Sequence, residues 1–415
     1  MAQFNKTDSG KRLTRLITNG YMDNIVKAQE GAFVVWVAII VPTEIFAGFE
    51  NVIYSVPESH SALCAGKGVG VPLCEKAENL GYSMDLCSYA RIDLGCHFNQ
   101  GADSPTGGLP KPDLLVSNNN NCTLLAKWFD VYHREWNIPH FVLDIPFCYQ
   151  AQKTRDMNYI VSQFQDLIRT IEQLSGQTFN PGKMAEAWNH SAQATLHWRR
   201  FLKASQNKPS GITAFDSFVQ MAPTLTMRGT PELAEHYRLL ADEAEERVAR
   251  CEFPVPNEKY RLLWDNIAPW HQLRKMSTRL KELDANIISA TYTYCIGSLE
   301  GSLDPLEFVN LSPLEGMARV QNFTICPHGL QLRGQAMKQA IEDMGIDGVV
   351  FASNRSCKVY SLMQMDQQRY IQEELGVPTV MIDVDHADAR KYSEETAFVR
   401  MEALLESIDH ARGQA

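Results

Sequence analysis

The side chains best suited to metal binding in this 415-residue chain are its ten cysteines, at positions 64, 74, 87, 96, 122, 148, 251, 295, 326 and 357. None form the Cys-x-x-Cys pairs usual in structural zinc sites. Two lie in stretches of matching layout. Asp113-Leu-Leu-Val-Ser-Asn-Asn-Asn-Asn-Cys122 is followed by a helix-like run and then by Ile138-Pro-His-Phe-Val-Leu-Asp144. Asp347-Gly-Val-Val-Phe-Ala-Ser-Asn-Arg-Ser-Cys357 is followed by another such run and by Val377-Pro-Thr-Val-Met-Ile-Asp383. Each reads as a buried strand, a polar Ser/Asn loop, a cysteine, a helix and a second buried strand. A cysteine at a helix start is a candidate thiolate ligand, because the helix N-terminus favours negative charge. Layout alone also admits two unrelated core thiols.

A third cysteine-bearing segment, Met84-Asp-Leu-Cys-Ser-Tyr-Ala-Arg91, adds Cys87 to Cys122 and Cys357. Three thiolates from distant segments can hold three irons of a [4Fe–4S] cluster and leave the fourth iron open to an oxygen ligand. Zinc accepts thiolates too, but structural zinc draws on closely spaced pairs. Pro57-Glu-Ser-His60 supplies Glu58 and His60, two groups whose pKa a pocket can tune for proton transfer. A packing histidine and a carboxylate at a helix start are the plain alternatives. Trp264-Asp-Asn-Ile-Ala-Pro-Trp-His271 reads equally as a pocket or interface lining and as a buried aromatic turn.

Short apolar runs that alternate with helical patterns imply βαβ units. The expected architecture is therefore α/β, with two doubly wound, Rossmann-like parallel-sheet domains and helical connecting segments. The boundaries expected are an N-terminal helical segment over 1–30, a first α/β domain over 31–150, a mainly helical connection over 151–280 and a second α/β domain over 281–415. Ile160, Phe164, Leu167, Ile171 and Leu174 form an amphipathic stripe that ends at Gly176, a helix C-cap. Pro231 to Arg250 reads as a solvated helix, and the loop from Gly101 to Pro112 as a lid or a plain surface loop.

Composition narrows the functions. Apolar residues make up 45% and charged residues 21%, as in ordinary globular proteins. The net charge of −10, without basic blocks, disfavours nucleic-acid binding. The apolar run from Ala32 to Pro42 is too short for the roughly 20 residues that span a bilayer. With no apolar h-region at the N-terminus and no disulfide-like cysteine pattern, a cytoplasmic protein with free thiols is expected. No Gly-x-x-x-x-Gly-Lys-Ser/Thr, His-Glu-x-x-His or Gly-x-Ser-x-Gly motif occurs, so a self-contained ATPase, a zincin and a serine hydrolase are disfavoured.

Over nearly its whole length the chain resembles the 2-hydroxyacyl-CoA dehydratase / benzoyl-CoA reductase family. The resemblance is carried by Trp36 with Pro42-Thr-Glu-Ile45, Pro57 to His60, Ala77-Glu78, Gly81 to Arg91, Asn121-Cys122 with Lys127-Trp128, Asn354 to Lys358, and Asp383 to Arg390. It implies an iron–sulfur subunit with Cys87, Cys122 and Cys357 as ligands of a [4Fe–4S] cluster and the other cysteines structural. It implies an acyl-CoA substrate, a homologous cluster-binding partner subunit, and a separate ATP-hydrolysing [4Fe–4S] activator that donates low-potential electrons. Both branches work through a ketyl-type radical: one reduces an aromatic ring, the other expels water from a 2-hydroxyacyl-CoA.

One departure bears on the branch. Where the amino-acid-fermenting dehydratases carry a serine three residues after the tryptophan, this chain has Ile39. An apolar wall beside the proton donors Glu58 and His60 suits an aromatic acyl group. The expectation is therefore an ATP-dependent benzoyl-CoA reductase subunit, with an (R)-2-hydroxyacyl-CoA dehydratase subunit as the alternative. A non-enzymatic relay subunit is a third reading, and spectra that respond to acyl-CoA would argue against it.

Overall fold

The computed structural model describes residues 7–150, 153–293, 311–323 and 328–413. Two four-stranded, all-parallel sheets organise it. The first contains β1 (Phe33–Val37), β2 (Val52–Ser55), β3 (Leu114–Asn118) and β4 (His140–Leu143), in the order β2-β1-β3-β4. The second contains β5 (Tyr260–Asp265), β6 (Ala285–Ala290), β7 (Gly348–Asn354) and β8 (Thr379–Val384), in the order β6-β5-β7-β8. The α/β expectation of two parallel-sheet units therefore holds. Strands covered on both faces read as continuous apolar runs, and every residue of β3 and β6 is buried.

The order in each sheet reverses direction beside its first strand. Crevices outside the carboxyl ends at such a reversal are where open α/β sheets take ligands. Helices begin near those ends: α1 (Asp8–Gln29) precedes the first sheet, α2 (Pro57–Gly66) follows β2, and α3 (Gly70–Asn79) and α4 (Ser88–Phe98) lead toward β3. α5 (Thr123–Trp136) joins β3 to β4 as the matching layouts imply. α6 (Thr154–Ser175) buries Ile160, Phe164, Leu167 and Ile171 and ends at Gly176 in the left-handed conformation, whereas Leu174 is exposed. α7 (Pro181–Lys203), α8 (Ala214–Gln220), α9 (Ala222–Thr226) and α10 (Pro231–Ala249) complete the connection. α10 is not simply a solvated face: it buries Leu233, Tyr237, Leu240 and Ala244.

β5 falls within 151–280, a stretch expected to be mainly helical, so the second sheet begins before position 281. Its apolar run is broken by Arg261, which hides a strand from pattern reading. The buried guanidinium is satisfied by Glu258 and by the carbonyls of Ser205, Asn207 and Met344. The second sheet is completed by α11 (Leu273–Glu282), α12 (Pro313–Phe323), α13 (Leu330–Met344), α14 (Lys358–Ser361), α15 (Gln364–Leu375) and α16 (Glu394–Gly413). One apolar core links both sheets, and a smaller cluster built on Leu263, Ile288, Ile341 and Phe351 lies under part of the second.

α4 packs tightly on α3. A Cβ on Gly95 would lie 1.9 Å from the Leu73 carbonyl oxygen, a backbone atom that cannot swing aside. Gly95→Ala is expected to destabilise the fold by about 1–3 kcal/mol, measured as a lower urea midpoint. Gly66→Ala, with no atom within 4 Å of its added carbon, serves as the near-neutral control.

Candidate active site

Three cysteines cap three helices beside the strand ends. Cys87 is the N-cap of α4, Cys122 of α5 and Cys357 of α14, and all three are half-buried. The Tyr89 and Ala90 amides face the Cys87 sulfur, and those of Leu124 and Leu125 face Cys122. Burial pushes the Cys87 thiol well above its ordinary range, and the neighbouring Cys357 and Cys122 push it further. The two other predicted cysteines thus act electrostatically on Cys87. Burial also raises Cys122, with a contribution from Glu58. Among the described residues no three His, Cys, Asp or Glu side chains are arranged to hold a single metal ion.

The remaining cysteines differ in setting. Burial holds Cys64, Cys74 and Cys96 up at about 12 and Cys148 at about 11, the environment of inert core thiols. Cys251 is exposed. Cys295 and Cys326 lie outside the described residues.

Near the cysteines is a cavity of about 570 Å³; no cysteine lines it, but its wall residue Tyr89 interacts electrostatically with Cys87 and Cys357, and its wall residue Glu58 with Cys122. Its walls come from both sheet units: Ile39, Glu58 and Tyr89 from the first, and Trp270 and Tyr292 from the second, with Phe218 of the connecting helices. Ile39 follows β1, Glu58 follows β2, Trp270 follows β5 and Tyr292 follows β6. The Trp270 indole N–H donates to the Tyr89 hydroxyl across the units. Lys67, Arg274 and Lys275, all exposed, border the same cavity together with His271. The result is an apolar, aromatic chamber with cations at its mouth.

Glu58 is 5% exposed. Its Oε1 accepts the Ile39 amide at 2.9 Å, and its buried Oε2 has no hydrogen-bond partner among the described residues. Burial lifts its pKa to about 7 against the pull of the Ile39 amide. A carboxyl with a free oxygen and a pKa near neutrality can give or take a proton in the chamber. The amide that holds it sits next to Ile40, whose φ of 72° is a left-handed backbone rarely adopted by a β-branched residue.

His60 is directed elsewhere. It is fully buried and does not line the cavity; its Nε2 lies 2.8 Å from Ser104 Oγ and 3.0 Å from Thr106 Oγ1. Burial lowers its pKa to about 4, so the ring is neutral at physiological pH. His60 ties down the Gly101–Pro112 loop, a role nearer to the packing histidine than to a proton donor. Lys358 is directed away as well, with its ammonium donating to the Arg355 carbonyl at 2.7 Å. Trp264 is wholly buried, whereas Trp270 and His271 reach the cavity, so the aromatic segment divides between core and lining.

Several residues escaped the sequence reading. Asp93 accepts from Trp128 Nε1 at 3.0 Å and Tyr132 Oη at 2.5 Å, and burial raises it to about 7. Arg91 and Asp388, both completely buried, pair at 2.8 Å, and Glu78 joins them at 2.5 Å from Arg91. Asp385 and His386 follow β8 and face the Cys87 loop: Asp385 accepts from Ser356, and His386 Nε2 lies 2.9 Å from Ser88 Oγ and 3.6 Å from the Cys87 sulfur itself. The segments Gly81–Arg91 and Asp383–Arg390 contain most of these groups, but nothing in either says that one would fold onto the other.

A family model described as 2-hydroxyglutaryl-CoA dehydratase, D-component, matches residues 38–408. The chain belongs to that family. It is 32% identical over 406 residues to the (R)-phenyllactyl-CoA dehydratase alpha subunit of Clostridium sporogenes, covering 97% of this chain and 96% of that protein. It is 30% identical to the (R)-2-hydroxyisocaproyl-CoA dehydratase alpha subunit of Clostridioides difficile, covering 96% and 95%. It is also 26% identical to a benzoyl-CoA reductase subunit of Thauera aromatica, covering 88% and 86%. Members of both branches thus align along almost the whole of this family member. No described helix is long and apolar enough to cross a membrane.

Glu58 makes stability depend on pH. Its folded pKa lies above the ordinary carboxyl value, so its contribution is fully present below that value and is lost as pH rises through about 7. The urea midpoint of the wild type minus that of Glu58→Gln is expected to fall between about pH 4.5 and about pH 7. Taking the difference isolates Glu58 from the buried histidines, whose lowered pKa makes stability rise with pH over the same range.

Proposed function

We propose that this chain is the acyl-CoA-binding, [4Fe–4S]-bearing subunit of a hetero-oligomeric enzyme that forms a ketyl-type radical anion from an apolar acyl thioester. The observation that carries this reading is the aromatic chamber with basic residues at its mouth, near three cysteines at helix N-termini. An acyl group would fill the apolar space, while Lys67, Arg274 and Lys275 meet the anionic end of the CoA.

The donor set suits an iron–sulfur cluster. Thiols that raise the cost of one another's ionisation would be stabilised as thiolates by a metal centre. A cluster distributes its ligands over several irons, so they need not converge on one ion. Cys87, Cys122 and Cys357 would hold it. When bound, the cluster supplies single electrons of low potential. The chain's own residues do the rest. The chamber excludes water from a charged radical. Glu58, part-protonated at neutral pH, presents its free oxygen to the acyl group. It would donate a proton to departing hydroxide or to a reduced ring.

Water elimination from an (R)-2-hydroxyacyl-CoA is the net outcome we rank first. It is supported by the 32% and 30% identities with dehydratase alpha subunits, against 26% with the reductase relative. The second reading is the benzoyl-CoA reductase expected from the sequence. Ile39 favours it, because that wall offers no side-chain hydroxyl to the substrate. The partner would be a homologous subunit, since these relatives are named as subunits, and an ATP-hydrolysing [4Fe–4S] activator would supply the electrons. The proposed setting is the cytoplasm.

The test supplies the anaerobic complex and activator with (R)-phenyllactyl-CoA and, separately, benzoyl-CoA. Formation of an unsaturated acyl-CoA with catalytic ATP supports elimination. A dearomatised product with stoichiometric ATP supports reduction, and turnover of neither, with no spectral response to either thioester, refutes the acyl-CoA reading. Ala replacements of Cys87, Cys122 or Cys357 should lower iron content and activity, whereas those at Cys64, Cys251 or Cys295 should leave iron near wild type. Equal iron loss in both sets would refute the ligand assignment. Glu58→Gln should lower turnover by about 10²–10⁴-fold while retaining iron, and His60→Gln should cost far less.

A further inference from the structure

The Asp383–Arg390 segment has no part in the chemistry above, yet its buried side chains lie between two cysteine loops. Ser356, immediately before Cys357, donates to Asp385 Oδ2 at 2.6 Å. The same Ser356 oxygen accepts the Ser88 amide at 3.2 Å, and Ser88 immediately follows Cys87. The Ser88 hydroxyl lies 2.9 Å from His386 Nε2, while His386 Nδ1 lies 3.3 Å from Asn354 Oδ1. Asp385 uses its second oxygen to accept the amides of Ala387 and Asp388 at 3.1 and 2.9 Å. Asp388 in turn holds Arg91 of α4. Asp385, Ser88 and His386 are wholly buried, and Ser356 is 4% exposed.

These contacts join the two sheet units. Ser88 and Arg91 belong to the first sheet unit; Ser356, Asp385 and Asp388 belong to the second. A buried hydroxyl has one proton and two lone pairs. With its proton committed to Asp385, Ser356 is left as an acceptor aimed at the amide after Cys87. Releasing Ser356 would take from the buried Asp385 carboxylate one of its two hydroxyl partners, Ser88 being the other, which is costly.

We propose that Asp385 and Ser356 are positioning residues that fix Cys87 relative to Cys357 across the two sheet units, with the Arg91–Asp388 pair as a second fastening. This role deepens the iron–sulfur reading, since it determines how two of the three proposed ligands are presented.

The experiment uses the full chain with Ser356→Ala, Ser356→Thr and Asp385→Asn. In the metal-free protein, iodoacetamide labelling followed by mass spectrometry gives the modification rate at each cysteine. Ser356→Ala and Asp385→Asn are expected to speed labelling of Cys87 and Cys357 roughly tenfold, the factor associated with losing one charge-assisted hydrogen bond. The rate at exposed Cys251 should not change, and Ser356→Thr, which keeps the hydroxyl, should restore wild-type rates. In the iron- and sulfide-reconstituted protein, Ser356→Ala should shift the electron paramagnetic resonance spectrum and the midpoint potential, with Thr reversing both shifts. Unchanged labelling in both Ser356→Ala and Asp385→Asn overturns the positioning role, whatever the cluster does. If the wild type takes up no cluster, the iron–sulfur reading fails while the labelling comparison still decides the positioning role. Should Asp385→Asn misfold, Ser356→Ala carries the decision alone, since it only removes a hydroxyl.

Discussion

Everything at this site depends on the meeting of two parallel sheets at their carboxyl ends. A parallel strand delivers its following loop to one edge, and the helix after it presents unpaired amides there. With the same strand order in both halves, the protein has two such edges. The half-buried cysteines, many of the cavity walls and the buried polar contacts come from loops or helix starts at those edges, and α1, α8 and α9 supply much of the rest of the walls. The Arg91–Asp388 pair sits at the seam. Two wholly buried charges tolerate that location only with good geometry and further partners, which Glu78 and Arg390 supply.

Several other buried ionisable groups are biased toward neutrality. Burial raises Glu58 and Asp93 to about 7 and lowers His60 and His386 to about 4. Each shift has the sign that desolvation demands, toward the uncharged form. A chamber with little fixed charge gives any charge created within it strong, weakly screened interactions. Such a setting concentrates the control of charge in a few groups, of which Glu58, with one oxygen held and the other free, is the best placed.

Much of the fold is legible because period and punctuation agree. The α6 stripe, its Gly176 stop and the paired strand–Cys–helix–strand layouts all correspond to observed elements. β5 is hidden because buried Arg261 interrupts its apolar run, and α10 reads as solvated because its small alanines fill a packed face without looking apolar. At the site, types and spacing point to Cys87, Cys122 and Cys357, and the structure shows Cys87 feeling the other two. Side-chain direction is not legible. Glu58 and His60 are two residues apart on α2, yet one lines the cavity and the other turns beneath a loop. The Ser88–Ser356–Asp385 contact joins residues 268 and 29 positions apart, a separation that local patterns cannot register.

The Trp270 indole bridges to Tyr89 across the two halves, and its own backbone amide is bonded to the His386 carbonyl at 3.0 Å. The chamber is thus a gap between two bodies rather than a hole drilled in one. Its width is set jointly by the two units and the helices packed between them, much as the gape of a vice is set by both plates. Accommodation of a longer or broader guest would then come from small shifts shared by many residues, with every wall residue kept. Selectivity in such a scaffold is a property of interdomain posture as well as of the side chains that touch the guest.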